Sequence, residues 1–295
     1  MSVTHLVEEF STLKDPRRRG KIDGLGTCLA LPHGIPAHDT FRGVFTRIDP
    51  GGFERGFAAW ARLFGTPVER EVAAIDRKTI PGSWDRGREQ GPLHVVSAWA
   101  CDRRLVLGQC QDGDKSNGIT AIPELLEVLD VEETIVTLEA IGCERAIARK
   151  TLEKGADDRV VLKANQGKKF TAVHELCAAG CFSRSPRQRP IHDKFEESHG
   201  RLVRRRVFVC PDARTREPLR DWPGPRAILA VESIRSINGS GKGETDIRCF
   251  LPSSADHPER LAQAVREHWQ IENGLHWVLD VTFQKDQCRM RDRNA

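Results

Sequence analysis

The chain has 295 residues, a net charge of +4, 39% hydrophobic residues and 30% charged ones. At roughly 150 residues per domain it has room for about two domains, and the composition excludes disordered and fibrous classes. No apolar run approaches the ~18 residues of a membrane span. The first ten residues, acidic at Glu8 and Glu9, lack a signal-peptide layout, so a cytoplasmic protein with no membrane partner is predicted.

Residues 1–38 are interrupted by Pro16, Gly20, Gly24, Gly26, Pro32 and Pro36, which stop any long helix there. Over 39–64 the apolar residues Phe41, Val44, Phe45, Ile48, Phe53, Phe57, Trp60, Leu63 and Phe64 recur at spacings of three and four. The break Asp49-Pro50-Gly51-Gly52 divides them, predicting a helical hairpin. Strand signals follow at 68–75, ending at Asp76, and at 93–101 and 105–111, which form a hairpin across Asp102-Arg103-Arg104. Helix 119–129, strand 134–138, helix 143–154, strand 159–163 and helix 168–178 come next. A hairpin followed by alternating strand and helix predicts an α/β fold, a mixed sheet with flanking helices.

From 191 to 252 the pattern is strand-rich, with strands at 191–196, 202–210, 227–233 and 246–251. The loop Asn238-Gly239-Ser240-Gly241-Lys242-Gly243 lacks the order of a phosphate cradle and reads as a turn. A helix then runs over 256–279, with Asp256 as cap and Pro258 in its first turn.

Nine cysteines, an odd number without a secretory signal, predict reduced thiols. His174, Cys177 and Cys181 have the only metal-like spacing, and no Cys-x-x-Cys pair completes a zinc site, so they read as ordinary half-buried residues. Between Arg159 and Arg216 fourteen Lys or Arg face five Asp or Glu. Such an excess suits a polyanion or a solvated surface, and charge leaves both open.

The last helix carries the chemistry. Leu261, Val265, Trp269, Leu275 and Leu279 mark its buried stripe, and His268, Glu272, His276 and Asp280 run beside that stripe at i, i+4 steps. A carboxylate so placed must be paired, protonated or metal-bound. Asp76 follows the apolar run Val72-Ala73-Ala74-Ile75, and Glu139 follows Ile135-Val136-Thr137-Leu138. Acids ending neighbouring strands, joined by one from a packed helix, suit an oxygen cage for Mg²⁺. Two such ions support in-line phosphoryl transfer, the arrangement of a ribonuclease H-like nucleic-acid enzyme.

Several strings carry a resemblance: Gly34-Ile35-Pro36-Ala37-His38-Asp39, Ala74-Ile75-Asp76-Arg77-Lys78-Thr79, Asp114-Lys115-Ser116-Asn117, Lys163-Ala164-Asn165-Gln166-Gly167 and His268-Trp269-Gln270-Ile271-Glu272-Asn273-Gly274-Leu275-His276-Trp277. In order, over nearly the whole chain, they resemble the H-repeat-associated DDE transposases of bacterial insertion sequences. The resemblance implies a ribonuclease H-like core interrupted by a β-rich insertion. It implies metal-dependent cleavage and strand transfer at element ends, with two Mg²⁺ or Mn²⁺ ions held by Asp76, Glu139 and Glu272. The implied partner is double-stranded DNA, at transposon ends and target, bound by a homo-oligomer associated with the bacterial nucleoid.

At the second acid the family pattern is Thr-Ile-Asp-Ala-x-Gly-Cys, and this chain reads Thr137-Leu138-Glu139-Ala140-Ile141-Gly142-Cys143. Its carboxylate reaches one methylene further. A misplacement near 1 Å can cost about 10²-fold, so impaired chemistry is expected. Arg77, in place of the family's Gly, is expected to crowd the approach to Asp76. DNA contacts are assigned to Lys78, Asn165, Gln166, Arg201, Arg204, Arg205 and Arg206, with a solvated lysine the alternative for Lys78 and a simple turn for Asn165 and Gln166. Asp280 and Asp286 read as accessory acids or as helix-end caps in solvent, and Trp269 and Trp277 as core packing.

The expected organisation is a truncated, short helical N-terminal region over 1–65, the first part of the core over 66–180, the β-rich insertion over 181–254 and the C-terminal core helix over 255–295. Comparison with the family pattern suggests an apolar segment missing between Lys21 and Leu31 and a further helix missing after Ala295. Two other readings stand beside the transposase: a remnant that only binds DNA, favoured by Glu139, Arg77 and the shortened ends, and a stand-alone nuclease of the same fold.

Overall fold

The computed structural model describes residues 38–63, 68–85, 87, 91–112, 119–138, 144–162, 167–177, 189–198, 201–211, 217–237, 243–254 and 258–288. Two helices come first, α1 (His38–Phe45) and α2 (Pro50–Arg62). Asp49 caps α2, its carboxylate accepting the Gly52 N–H at 2.7 Å, with Pro50 at the start where no N–H is needed. The predicted break between two helices therefore falls at Asp49-Pro50.

Nine strands form one sheet: β1 (Val72–Ile80), β2 (Leu93–Ala100), β3 (Leu105–Asp112), β4 (Ile135–Leu138), β5 (Asp157–Leu162), β6 (His192–Ser198), β7 (Arg201–Pro211), β8 (Ala227–Ile237) and β9 (Gly243–Pro252). Their order is β3-β2-β1-β4-β5-β9-β8-β7-β6. β1 to β3 are antiparallel, β1-β4-β5 are parallel, and β9 returns antiparallel to β5. The mixed α/β sheet predicted from the sequence is present. Strands β6 to β9 continue that same sheet.

Helices cover both faces. On one, Ile75, Val96, Ala98 and Val136 pack with Ile122, Leu125 and Leu126 of α3 (Ala121–Val128), Ile147 and Ala148 of α4 (Arg145–Glu153) and Val173 of α5 (Lys168–Leu176). On the other, Val72, Ala74, Trp99 and Ile135 meet Ala264, Ile271, Leu275 and Leu279 from the C-terminal helical segment. A nearby cluster joins Leu229, Val231 and Phe250 to Leu261 and Ala262. Strand alternation thus places Val72, Ala74 and Asp76 on the face that the C-terminal segment covers.

That segment differs from the regular helix expected. It is α-helical only in α6 (Pro258–Glu267), and the proposed cap Asp256 lies outside the described residues. Beyond it, Ile271–His276 and Val278–Thr282 are π-helical, the Trp277 N–H bonding to the Glu272 carbonyl and the Phe283 N–H to that of Val278. Among the described residues no helix is long and apolar enough to cross a membrane.

Candidate active site

Asp76 sits in the middle of β1, a correction to the reading that it ends the strand. β1 continues through Arg77, Lys78 and Thr79 because β2 pairs with it antiparallel all the way to Ile80. What ends at Ile75 is the parallel ladder with β4, where Ile75 lies opposite Leu138. Asp76 is the first residue of β1 past that ladder, while β2 still fixes its backbone.

His276 approaches Asp76 from the π-helical segment, Nδ1 to Oδ2 at 3.4 Å. Burial, with Lys78 and His268 adding positive charge nearby, pushes its pKa down to about 4. The imidazole is therefore neutral at neutral pH. Glu272, one turn earlier on the same segment, is half-buried. His268, where α6 gives way, is buried and pairs its Nδ1 with the Thr137 hydroxyl of β4 at 2.9 Å. The segment carrying Glu272 is thus fastened to β4 at His268 and to β1 at His276. π-helical turns are rare and concentrate at functional sites, where a widened turn re-aims side chains.

Lys78 lies on the same face of β1. Its ammonium contacts Asp280 at 2.6 and 2.7 Å and Asp286 at 3.1 Å. The sequence reading gave Lys78 to a phosphate. Here two carboxylates hold it, and through this pair Asp280 and Asp286 bind the chain after Glu272 to β1.

Arg77 does not crowd Asp76. Adjacent strand residues point to opposite faces, and Arg77 meets the buried Asp112 of β3 at 2.7 Å on the far side. Trp269 and Trp277 also depart from expectation, at 38% and 56% exposed. Trp269 precedes the π-helical stretch and lies beneath the Arg248 guanidinium, 5.4 Å from the ring centre.

Of the remaining candidates, Glu139, Asn165 and Gln166 lie outside the described residues. Arg201 opens β7. Arg204 forms a two-pronged pair with Asp193 at 2.7 and 2.9 Å and covers the Phe195 ring. Arg206 is paired with Glu232 directly across on β8. Arg205, between them, points to the other face of the strand. The basic run therefore belongs partly to cross-strand ion pairs, which neither the polyanion nor the solvated-surface reading included.

Sequence reasoning missed the Thr137–His268 and Asp76–His276 contacts. Part of the signal was visible: Thr137 alternates with Ile135 on β4, and His268 and His276 flank the apolar stripe of the last helix. Which strand each histidine meets depends on sheet order, which has no local mark.

Carboxylates such as Asp76 and Glu272 are hard oxygen donors of the type that divalent magnesium takes. Among the described residues no three acids, histidines or cysteines gather closely enough to hold a metal. The donors fit such an ion in kind, and the described ones do not complete a set.

Residues 67–295 match the family model of the transposase DDE domain. The chain belongs to the DDE transposase family. It is 38% identical over 270 residues to the H repeat-associated putative transposase YhhI and to the putative protein YbfL of Escherichia coli K12. Each match covers 89% of this chain and 70% of the relative. A putative transposase, YncI, of Escherichia coli O157:H7 matches at the same identity over 67% of its length. A solved piggyBac transposase synaptic complex with hairpin DNA covers 88% of the chain at 11% identity and a TM-score of 0.38, too loose a likeness to carry an argument. In the transposase family, the resemblance read from the sequence strings holds across most of the chain.

Proposed function

We propose that this transposase-family chain cuts DNA at the ends of an insertion element and joins the freed 3′-hydroxyl to a target, using a ribonuclease H-like core. The observation that carries the reading is Asp76 standing just past the β1–β4 parallel ladder, on the face to which the π-helical segment brings Glu272. The order β3-β2-β1-β4-β5, antiparallel then parallel, supports the core assignment.

Asp76 and Glu272, with Glu139 at the family's second acid, would hold Mg²⁺ or Mn²⁺. When bound, two such ions activate a water or 3′-hydroxyl and stabilise the leaving oxygen. Neutral His276 sets the Asp76 carboxylate without adding a positive charge that competes with a cation. Thr137, His268, Lys78, Asp280 and Asp286 hold the Glu272 segment in register with β1. DNA of element ends and target is the partner, held by a homo-oligomer in the bacterial cytoplasm or nucleoid.

The test is cleavage and joining of DNA carrying the element ends, with Mg²⁺ or Mn²⁺. Asp76→Asn and Glu272→Gln are each expected to lower the rate by at least about 10²-fold, the scale of losing one transition-state contact. Activity that survives both changes sinks the assignment. A second reading, a chain that binds DNA without cutting it, is favoured by the longer arm of Glu139. Restored cutting in Glu139→Asp distinguishes a detuned enzyme from an inert remnant. Cutting without preference for element ends, and without joined products, identifies the stand-alone nuclease.

A further inference from the structure

Among the described residues Arg159 is the largest fully buried side chain, only 1% exposed, and none of its three guanidinium nitrogens has a hydrogen-bond partner. It lies on β5 opposite Thr137 of β4 and Pro252 of β9, on the face that α6 covers. An unpaired charge in that position is costly, and burial together with Arg260 and Arg70 pushes its pKa down to about 9.

The neighbouring acids are otherwise engaged. Asp157, two residues back on the same face, meets Arg70 at 3.7 Å and the Ser253 hydroxyl at 3.2 Å. Glu267 is taken by Arg260 at 2.6 Å. Asp158 is on the opposite face of the strand. Arg159 instead lines a small cleft with Thr137, Leu138, Arg248, His268 and Trp269. Arg248 stands at the cleft with its Nε on Asp246 at 3.0 Å and its plane over Trp269. The free volume is about 20 Å³, enough for a water or for an oxygen of a larger group seated at the mouth. A water satisfies N–H groups but does not neutralise the charge, whereas an oxyanion does both.

We infer that Arg159, with Arg248 at the mouth and His268 on the wall, forms a binding site for a phosphate group, one oxygen of which enters the cleft. Leu138, the last residue of β4, is part of its wall, so the site adjoins the strand that leads to the candidate second acid. The transposase reading enters only in naming the DNA backbone as the source of that phosphate. Free phosphate has the same chemistry.

The experiment uses the full chain in two arms. In the first, thermal unfolding is followed in sodium phosphate against sodium chloride of matched ionic strength. In the second, duplex DNA binding is titrated over a range of salt. Phosphate is expected to raise the melting temperature of the unsubstituted chain by a few degrees more than chloride does. Arg159→Met should abolish that difference while melting no lower in chloride, because an apolar side chain of similar length replaces an unpaired buried charge. If the DNA backbone is the source, Arg159→Met also weakens duplex binding and lowers the salt slope by about one phosphate contact. A lost phosphate response with unchanged DNA binding assigns the site to free phosphate.

Arg248→Gln, at the half-exposed mouth, should reduce the response without disturbing the fold, and it decides the matter if Arg159→Met does not fold. A full phosphate response in both variants, or none in the unsubstituted chain together with unchanged DNA binding, overturns the site. Element-end cleavage is read separately. An inert chain that loses its phosphate response in Arg159→Met defeats the transposase reading and leaves the site standing. An active one that keeps the response does the reverse.

Discussion

Lys78 on β1 and Arg159 on β5 are both cations on the sheet face that the C-terminal segment covers, and their surroundings are opposite. Lys78 is held between Asp280 and Asp286. Arg159 has no hydrogen-bond partner, and the Asp158 beside it is buried on the other face. The Ser253 hydroxyl accepts the Asp158 N–H at 2.8 Å and donates to the Asp157 carboxylate at 3.2 Å. Around β1, charge fastens a helix to a strand. Along β5, charge is stored without a partner. The first is a device for positioning, and the second is a cost that only a ligand or a protonation change relieves.

Removing the ionisable group of Asp158 tests the β5 side of this contrast most strongly. Burial, reinforced by the adjacent Asp157, raises its pKa to about 7. The folded state then holds a proton that the unfolded state releases from its ordinary value near 4. Stability falls as pH rises from about 4 through 7, and the loss is complete above that window. At about 1.4 kcal/mol per unit, the loss approaches 4 kcal/mol. Asp158→Asn should lack this fall in denaturant titrations taken across the window. If the two chains keep a constant difference from pH 4 to 8, Asp158 is solvated or paired in solution and the contrast collapses.

His276 gives an effect of opposite sign, slightly smaller, at the β1 side. Its folded pKa of about 4 lies below the ordinary value near 6.5. The unfolded state binds the proton first, so stability is lost as pH falls from about 6.5 to 4, by up to about 3 kcal/mol. His276→Gln should flatten that limb while leaving the Asp158 limb in place. The two changes together would separate the two regions by pH alone.

The sequence disclosed one of these regions better than the other, for a physical reason. The apolar stripe of the last helix, with Glu272, His276 and Asp280 beside it, is a periodic signal, and Asp76 after four apolar residues is a local one. Leu261, Leu275 and Leu279 of that stripe and the run 72–75 are buried as read, although the helix widens and β1 runs on past Asp76. Two further details depend on partners remote in sequence. β1 runs past Asp76 because β2 supports it, and Arg77 turns away because Asp112 waits on β3. The adjacent pair Asp158-Arg159 carries opposite charges, and nothing local in the sequence marks it as buried. The placement of β5 between β4 and β9, with Arg159 facing α6 and Asp158 facing the other side, buries both.

Lys78→Met tests the positioning role directly. The ammonium is well buried, and its partners Asp280 and Asp286 are partly exposed. The cost should therefore fall below the 3–5 kcal/mol of a fully buried pair, at about 2–3 kcal/mol. Hydrogen exchange should show the loss concentrated in Val278–Thr282 and the turn after it. A uniform loss over the whole sheet would mean that Lys78 stabilises the fold without positioning the Glu272 segment.

The smallest effect is expected at Gly82, which tests the same attachment through the backbone. The chain turns tightly at Pro81–Ser83 after β1, and there a Cβ on Gly82 would fall 2.6 Å from the Asp286 carbonyl oxygen and 2.8 Å from that of Cys288. The contacts are main chain, so no side-chain rotation relieves them. Gly82→Ala should cost about 1–2 kcal/mol, as overpacking does where a backbone must shift. Because Asp286 also contacts Lys78, the shift should loosen that ion pair, and the variant's penalty should shrink in a Lys78→Met background. Strict additivity of the two changes would show that the turn and the ion pair hold the C-terminal segment independently. Coupling between them would show one clamp, closed by the backbone on one side and by Lys78 on the other.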